Sequence, residues 1–341
     1  MAGGIGSRFW PMSTEKNPKQ FLDFLGTGKS LIQMTFERLL RFIPADQIYI
    51  LTNESYKEQV LEQLPSINEG QVLCEPMRKN TAPCIAYAAG KLYDLNENAN
   101  LIVTPADHLV IQEDRFATTV KKGIEAAEGG DIVTIGIKPT RPDTGYGYIE
   151  FDQDSETIPN SIHEVTQFRE KPDLDKAKEF VAAGNFYWNA GVFIWKAKTI
   201  IDSLASYEPE VHELFTTDLS NYNTEKEQSF VNKCFAATKD ISIDYAIMER
   251  ADNIRLILAD FDWSDLGTWG SLYAHLEKDQ EGNSVQGENV KLFNSRNTLI
   301  KIEDGTEAVI DSLDGYIVVQ SENRIMILKN ENEQELKNFL K

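Results

Sequence analysis

Glycines, cations and carboxylates stand in this chain where they could work on phosphate. The run Gly3-Gly4-Ile5-Gly6-Ser7-Arg8 offers backbone N–H groups with few side chains in the way, so the main chain can approach a nucleotide closely. Arg8 adds a fixed cationic fork suited to phosphate oxygens. Pro18 stiffens the approach to Lys19, whose ammonium could reach the same phosphates. The glycines alone are also compatible with a flexible turn; Arg8, Trp10-Pro11 and Pro18-Lys19-Gln20 favour phosphate. Asp107 follows the apolar run Leu101-Ile102-Val103-Thr104, at the strand end where α/β sheets keep their ligands. Magnesium takes one or two carboxylates plus substrate phosphates, so Asp107 is a candidate first ligand and Asp265, after the strand Ile254–Leu258, the second. A loop-capping aspartate is the competing reading of Asp107, and Asp262 stands close enough to Asp265 to be confused with it. His108 reads as structural.

A second set could read a base and a sugar. Glu75 ends a strand, and Asn80 or Thr81 caps the helix that follows, with Pro83 in its first turn. Capping alone accounts for Thr81 and Pro83, whereas an acceptor at Glu75 or Asn80 could pair with guanine N1–H and N2–H2. Gly147, in Thr144-Gly145-Tyr146-Gly147-Tyr148, lets backbone meet a sugar edge. Glu170 could take sugar hydroxyls and Lys171 a sugar phosphate, against the alternative of a surface ion pair. Asn189 puts an amide inside an apolar strand, where an unpaired polar group is costly, so it implies a partner.

The elements that must position these groups alternate. Strand-like runs at Gln47–Thr52, Gln71–Cys74, Leu101–Thr104 and Ile132–Gly136 are separated by helical patterns over Glu54–Leu64, Ala82–Leu95 and Arg115–Glu128. This is βαβ rhythm, and it predicts an α/β, Rossmann-like, mainly parallel sheet with helices on both faces. Strand pieces around Tyr146–Phe151, His163–Phe168 and Tyr187–Trp195, with a helix over Leu174–Ala183, read as an insertion beside that half. Helices dominate from Ala197 to about Arg250. The polar stretch Glu277–Asn289 reads as a linker. Closely spaced short strands then follow from Val290 to Leu328 without a clear repeat. They predict a small C-terminal β domain, solenoid or sandwich, capped by a helix over Glu331–Leu340. The expected division is a catalytic domain over 1–278 and a small β-rich domain over 279–341. A glycine-rich loop of this kind should follow a buried strand, yet Met1 stands immediately before it, so either that strand lies outside the sequence or the sheet tolerates a gap.

Composition narrows the partners. With 341 residues, 41% hydrophobic and 26% charged, the chain has the balance of an ordinary globular protein. A formal net charge of -20 argues against nucleic acid, so any phosphate site must be locally basic. Three cysteines with no CxxC pair suggest neither a disulfide framework nor a zinc cluster, and a reducing cytoplasm fits best. No run approaches the roughly 18 apolar residues of a membrane span, and no membrane partner is expected. The oligomeric state stays open, a homodimer being one assembly the sequence allows. No GxSxG elbow, HExxH or Walker loop is present, which disfavours a hydrolase triad, a zincin or a P-loop ATPase.

Taken together, Ala2–Arg8, Pro18–Phe21, Glu75-Pro76 with Arg78–Pro83, Pro105–His108, Gly145–Ile149, Glu170–Pro172, Trp188–Gly191 and Ser242–Ala246 resemble the mannose-1-phosphate guanylyltransferases of the sugar nucleotidyltransferase superfamily. The first loop marks the superfamily only; the Asn-Thr-Ala-Pro and Pro-Ala-Asp-His segments are more specific. The resemblance spans almost the whole chain. It implies transfer of GMP from GTP to mannose 1-phosphate, giving GDP-mannose and pyrophosphate. Arg8 and Lys19 would hold the triphosphate and leaving pyrophosphate, Asp107 and Asp265 the magnesium, and Lys171 the sugar phosphate. Glu170, Asn189 and Gly147 would hold mannose, and Ala2, Gly3, Gly4, Gly6, Glu75, Asn80 and Thr81 fall at other substrate-binding positions. The chain stops at Lys341, before the place of the isomerase domain of bifunctional relatives, so a second activity is not expected. The alternatives are another sugar-1-phosphate nucleotidyltransferase, such as a thymidylyltransferase, or a non-catalytic regulatory paralogue that binds sugar nucleotides.

Overall fold

The computed structural model describes residues 1–4, 6–152 and 157–340, so Ile5 of the glycine-rich run lies outside the described residues. The chain divides into two compact units, one of residues 1–3, 38–105 and 110–263, the other of residues 4–37, 106–109 and 264 onward. Both are discontinuous in sequence. The segment 279–341, read above as a domain of its own, shares its unit with residues 4–37, 106–109 and 264–278.

In the first unit, β1 (Ile50–Asn53) and β2 (Val72–Glu75) pair in parallel, Leu51 beside Leu73. A larger sheet contains β3 (Asn100–Val103), β4 (Ile132–Ile137), β5 (Tyr148–Phe151), β6 (Ile162–Arg169), β7 (Phe186–Lys196) and β8 (Ile254–Leu258) in the order β3-β7-β4-β8-β6-β5. The α/β class is as expected, but this sheet is mixed. Only β4 and β8 run parallel within it, while β7 is antiparallel to β3, β4 and β5. An apolar run shows that a strand is buried on both faces but carries no direction, so periodicity could not supply this. The pieces expected as an insertion are members of this sheet. Strand β7 joins them to the rest: Phe186 to Trp188 pair with β5, and Phe193 to Lys196 with β3.

Small residues let the helices pack closely. Helix α1 (Thr81–Leu95) is buried from Ala82 to Lys91, and at Gly90 it comes so close to the Phe215 carbonyl that an added Cβ would sit 2.6 Å away. Helix α2 (Glu113–Ala127) presses Gly123 onto Ile194 of β7. Helix α3 (Leu174–Ala183), over the range expected, starts on an Asp173 cap and ends at Gly184 with φ 82°. The first residues of the chain are bonded to two strand ends. The Met1 ammonium donates to the Thr104 carbonyl at 2.8 Å, the Ala2 N–H to Leu51 at 2.7 Å, and the Thr52 hydroxyl to the Ala2 carbonyl at 2.9 Å.

The second unit is built on Phe9, Phe24 and Trp269, whose rings lie 4.5 to 6.0 Å apart, continued by Leu299, Ile317, Val319 and Leu328. Its C-terminal part contains β9 (Ser284–Gln286), β10 (Val290–Phe293), β11 (Leu299–Lys301), β12 (Ala308–Asp311), β13 (Tyr316–Ser321) and β14 (Arg324–Lys329). Strands β9, β11 and β13 stack in parallel, as do β10 and β12 beside them. Successive turns of chain thus lie on one another, with Val290 beside Ala308 and Leu299 beside Ile317, which is a short β-helix. An antiparallel pair, β13 with β14, closes it. Strand β9 falls inside the stretch expected as a linker, and the terminal helix is short, Leu336–Phe339. Among the described residues no helix is long and apolar enough to cross a membrane.

Candidate functional site

The phosphate-type residues fall in the second unit, where Asp107, the Asp265 main chain and Gly6 meet at Lys19. Pro18, in extended conformation, delivers a single turn over Lys19–Phe21. The Lys19 side chain is only 6% exposed, and its ammonium donates to Asp107 Oδ2 at 3.1 Å and to the Asp265 carbonyl at 2.6 Å. One lysine therefore ties two distant loop segments together. Gly6 supports it: with φ 65°, its position for a Cβ lies 2.4 Å from Lys19 Cβ, a closeness only glycine allows. Gly4 sits in open space and its carbonyl accepts from Gln20 at 3.1 Å. Arg8 is exposed on the short turn Ser7–Phe9, which Phe9 anchors in the core.

Both aspartates are held as acceptors. Burial pushes the Asp107 carboxyl up, but Lys19 and then His108 outweigh it, so Asp107 lies below its usual range and is ionised at neutral pH. Asp265 Oδ1 accepts from the Gly267 N–H at 2.9 Å, and a Cβ on Gly267 would strike Oδ2 at 2.5 Å, so the turn is shaped around this carboxylate. Asp262, the neighbour open to confusion with it, belongs to the other unit, where it accepts from Gln112 at 2.9 Å. Among the described residues no three or more His, Cys, Asp or Glu side chains gather around a common point. The carboxylate of Asp107 beside Lys19, with the Asp265 main chain on the same ammonium, offers hard oxygen donors of the kind magnesium takes together with substrate phosphates, and not a thiolate- or imidazole-bound metal.

The first unit carries two further groups. In one, Gly3 faces Glu75: a Cβ on Gly3 would lie 2.6 Å from Glu75 Oε1, while the Cys84 thiol donates to Oε2 at 2.9 Å. Burial raises the Glu75 carboxyl above its usual value. Asn80 is the cap of α1, its side-chain oxygen accepting from the Thr81 N–H at 3.0 Å, with a positive φ of 65°. The Thr81 hydroxyl accepts from the Ile243 N–H at 2.8 Å and so works within the fold. Ala2 is buried.

In the other group, Gly147, Glu170, Lys171 and Asn189 come together. The Asn189 N–H donates to the Gly147 carbonyl at 2.8 Å, and a Cβ on Gly147 would meet Glu170 Oε2 at 2.6 Å. Lys171 donates to Glu170 Oε1, and the Glu170 side chain is only 6% exposed, so this is not a loose surface pair. Burial lowers the Lys171 ammonium, but its bond to Glu170 and the nearby carboxylates outweigh this, and its net shift is upward. Lys171 has φ 45°, which costs a non-glycine residue about 1 kcal/mol.

A profile of the nucleotidyl transferase family matches residues 1–282. This chain belongs to the nucleotidyl transferase family. The nucleotidyl transferase is 36% identical over 344 residues to alginate biosynthesis protein AlgA of Pseudomonas putida, covering 100% of this chain and 70% of that protein. It is 33% identical over 340 residues to a mannose-1-phosphate guanylyltransferase of Klebsiella pneumoniae, covering 99% of this chain and 71% of the relative. Its fold matches a crystal structure from Thermus thermophilus, described as a mannose-1-phosphate geranyltransferase, with a TM-score of 0.87 at 29% identity, over 100% of this chain and 96% of that one. The resemblance read from the motifs therefore holds across the chain, and the protein is an enzyme. Sequence reasoning missed the supports: Cys84 behind Glu75, and Asp244, which accepts from the Asn189 amide at 3.1 Å. Asp244 lay within a quoted motif without a role; Cys84 carried no signal.

Proposed function

We propose that this nucleotidyl transferase moves GMP from GTP to mannose 1-phosphate, releasing pyrophosphate and GDP-mannose. The choice of sugar and base draws its support from the full-length similarity to enzymes named mannose-1-phosphate guanylyltransferase. The chemistry draws its support from one observation, the buried Lys19 ammonium shared between the Asp107 carboxylate and the Asp265 main-chain carbonyl.

A sugar phosphate oxygen attacks the α-phosphorus of GTP in line with the bond to the β-phosphate, which breaks and leaves as pyrophosphate. Little proton transfer is needed, so positioning and charge neutralisation carry the rate. Lys19 and Arg8 supply positive charge to the triphosphate and the departing pyrophosphate. Asp107 and Asp265 would hold magnesium, which supplies Lewis-acid polarisation of phosphate oxygens when bound. Lys171 takes the sugar phosphate. Glu170 and Asn189 take sugar hydroxyls, with Gly147 leaving room for the ring. Glu75 accepts from guanine, and Asn80 keeps its amide N–H groups for a ligand because its oxygen is committed to the helix cap.

The test is competition. The purified chain is incubated with magnesium and each of GTP, ATP, UTP and dTTP against mannose 1-phosphate and glucose 1-phosphate, and pyrophosphate is measured. Release with GTP and mannose 1-phosphate is expected to lead. Release led by dTTP with glucose 1-phosphate would move the chain to the thymidylyltransferases.

A further inference from the structure

The Asn189 amide is more constrained than a substrate contact needs to be. Its oxygen accepts from the Gly191 N–H at 3.0 Å and shares the single Thr134 hydroxyl proton, 3.1 Å away, with the Val192 carbonyl at 3.2 Å. One amide N–H donates to Asp244 Oδ1 at 3.1 Å. The direction in which the amide faces is thus decided by its partners, and one N–H is left over for a ligand oxygen. Asp244 opens a π-helical turn, Asp244–Met248, a rare backbone form found often at functional sites. The turn also brings Glu249, whose carboxylate accepts from the Glu170 N–H at 3.0 Å. The same short element therefore reaches two of the residues assigned to the sugar.

We propose that Asp244 is a positioning residue for the sugar: by accepting from Asn189 it fixes the amide with a single N–H aimed at a sugar oxygen. This rests on the reading of Asn189 and Glu170 as sugar contacts. Asp244 itself need not touch the substrate. Burial, and then the Glu170 carboxylate, push its carboxyl up to about 7 against the pull of Lys171. The charged or titratable groups around it are Glu170, Lys171, Tyr245 and Glu249, with Ser242 donating a hydrogen bond. A single proton on Asp244 near neutral pH would weaken its hold on the amide and relax the sugar contact.

The experiment compares wild type, Asp244→Ala, Asp244→Asn, Asn189→Ala and the double variant Asp244→Ala/Asn189→Ala, using pyrophosphate release with GTP and mannose 1-phosphate and thermal melting as a check on folding. Asp244→Ala is expected to raise KM for mannose 1-phosphate about tenfold while KM for GTP stays within twofold, because one charged hydrogen bond is lost. In the Asn189→Ala background the same change is expected to add little, since the two act as one unit. Asp244→Asn keeps an acceptor without a charge, so the step in KM near pH 7 should vanish while the sugar phosphate's own titration near pH 6 remains. An unchanged KM for the sugar phosphate in Asp244→Ala, or equal loss in both substrates, overturns the proposal, as does full additivity with Asn189→Ala. If Asp244→Ala does not fold, Asp244→Asn decides: retention of the wild-type pH step overturns it. If wild type prefers glucose 1-phosphate, the mannose reading falls and the same KM comparison on glucose 1-phosphate tests Asp244; turnover of neither sugar overturns both.

Discussion

Replacing Gly6 by alanine tests whether the glycine-rich loop works by pressing on Lys19. At φ 65° an alanine is strained by about 1 kcal/mol before any contact is counted. Its methyl would stand 2.4 Å from Lys19 Cβ, 3.0 Å from Ser13 Oγ and 3.3 Å from the Lys19 N. Carbon atoms settle near about 3.5 Å, so loop and lysine must part by about 1 Å. Lys19 cannot turn away freely, because Asp107 and the Asp265 carbonyl hold its ammonium at 3.1 and 2.6 Å. A misplacement of about 1 Å in a positioning group costs roughly 100-fold in rate, and overpacking of this size costs about 1–3 kcal/mol of stability. Gly6→Ala is therefore expected to lower kcat/KM for GTP about 100-fold in a pyrophosphate-release assay and to lower the melting temperature. Gly4→Ala, whose methyl meets nothing within 4 Å, should leave the melting temperature unchanged. Wild-type kcat/KM and melting in Gly6→Ala would refute the reasoning.

Other changes probe other parts. Asp107→Asn and Asp265→Asn should each lower kcat by at least about 100-fold; Asp107→Asn, which leaves the buried Lys19 ammonium without its carboxylate, should also lower the melting temperature, whereas Asp265→Asn, whose bond to Lys19 is through the main chain, should change it little; full activity in either removes that residue from the magnesium assignment. Gly3→Ala drives a methyl to 2.6 Å from Glu75 Oε1 and should raise KM for GTP more than KM for mannose 1-phosphate; equal effects would count against Glu75 as the base contact. Stability should also follow the Asp244 carboxyl. Its folded value of about 7 lies above the unfolded value of about 4, so the stability it contributes is complete below about pH 4 and is lost as pH rises through about 7. Asp244→Asn, which cannot ionise, should match wild type near pH 4 and exceed it at pH 8 by up to about 4 kcal/mol, and equal denaturant midpoints at both pH values would contradict the burial of this charge.

What could be read in advance was local. Short motifs such as Pro18-Lys19-Gln20 and Pro105-Ala106-Asp107 carry their chemistry within a few residues, and helix α3 has the range its pattern predicts, Leu174–Ala183. Direction and repetition were harder. Strand β7 is apolar throughout most of its length, so nothing in it says that it runs antiparallel to three neighbours. The β-helix turns, Val290–Phe293 over Ala308–Asp311, share alternating burial but hardly any residue, which hides the repeat. The supports of the site were least legible. Asp244 meets Asn189 from 55 residues away, and Lys19 meets Asp107 from 88, separations that only the topology closes.

The central claim is a specific transfer, and identification of the product tests it most directly. With GTP, mannose 1-phosphate and magnesium, phosphorus NMR on the purified chain should show GDP-mannose and pyrophosphate growing in equal amounts, and Asp107→Asn should suppress both signals together. Pyrophosphate without GDP-mannose, or no product from this pair, would contradict the account.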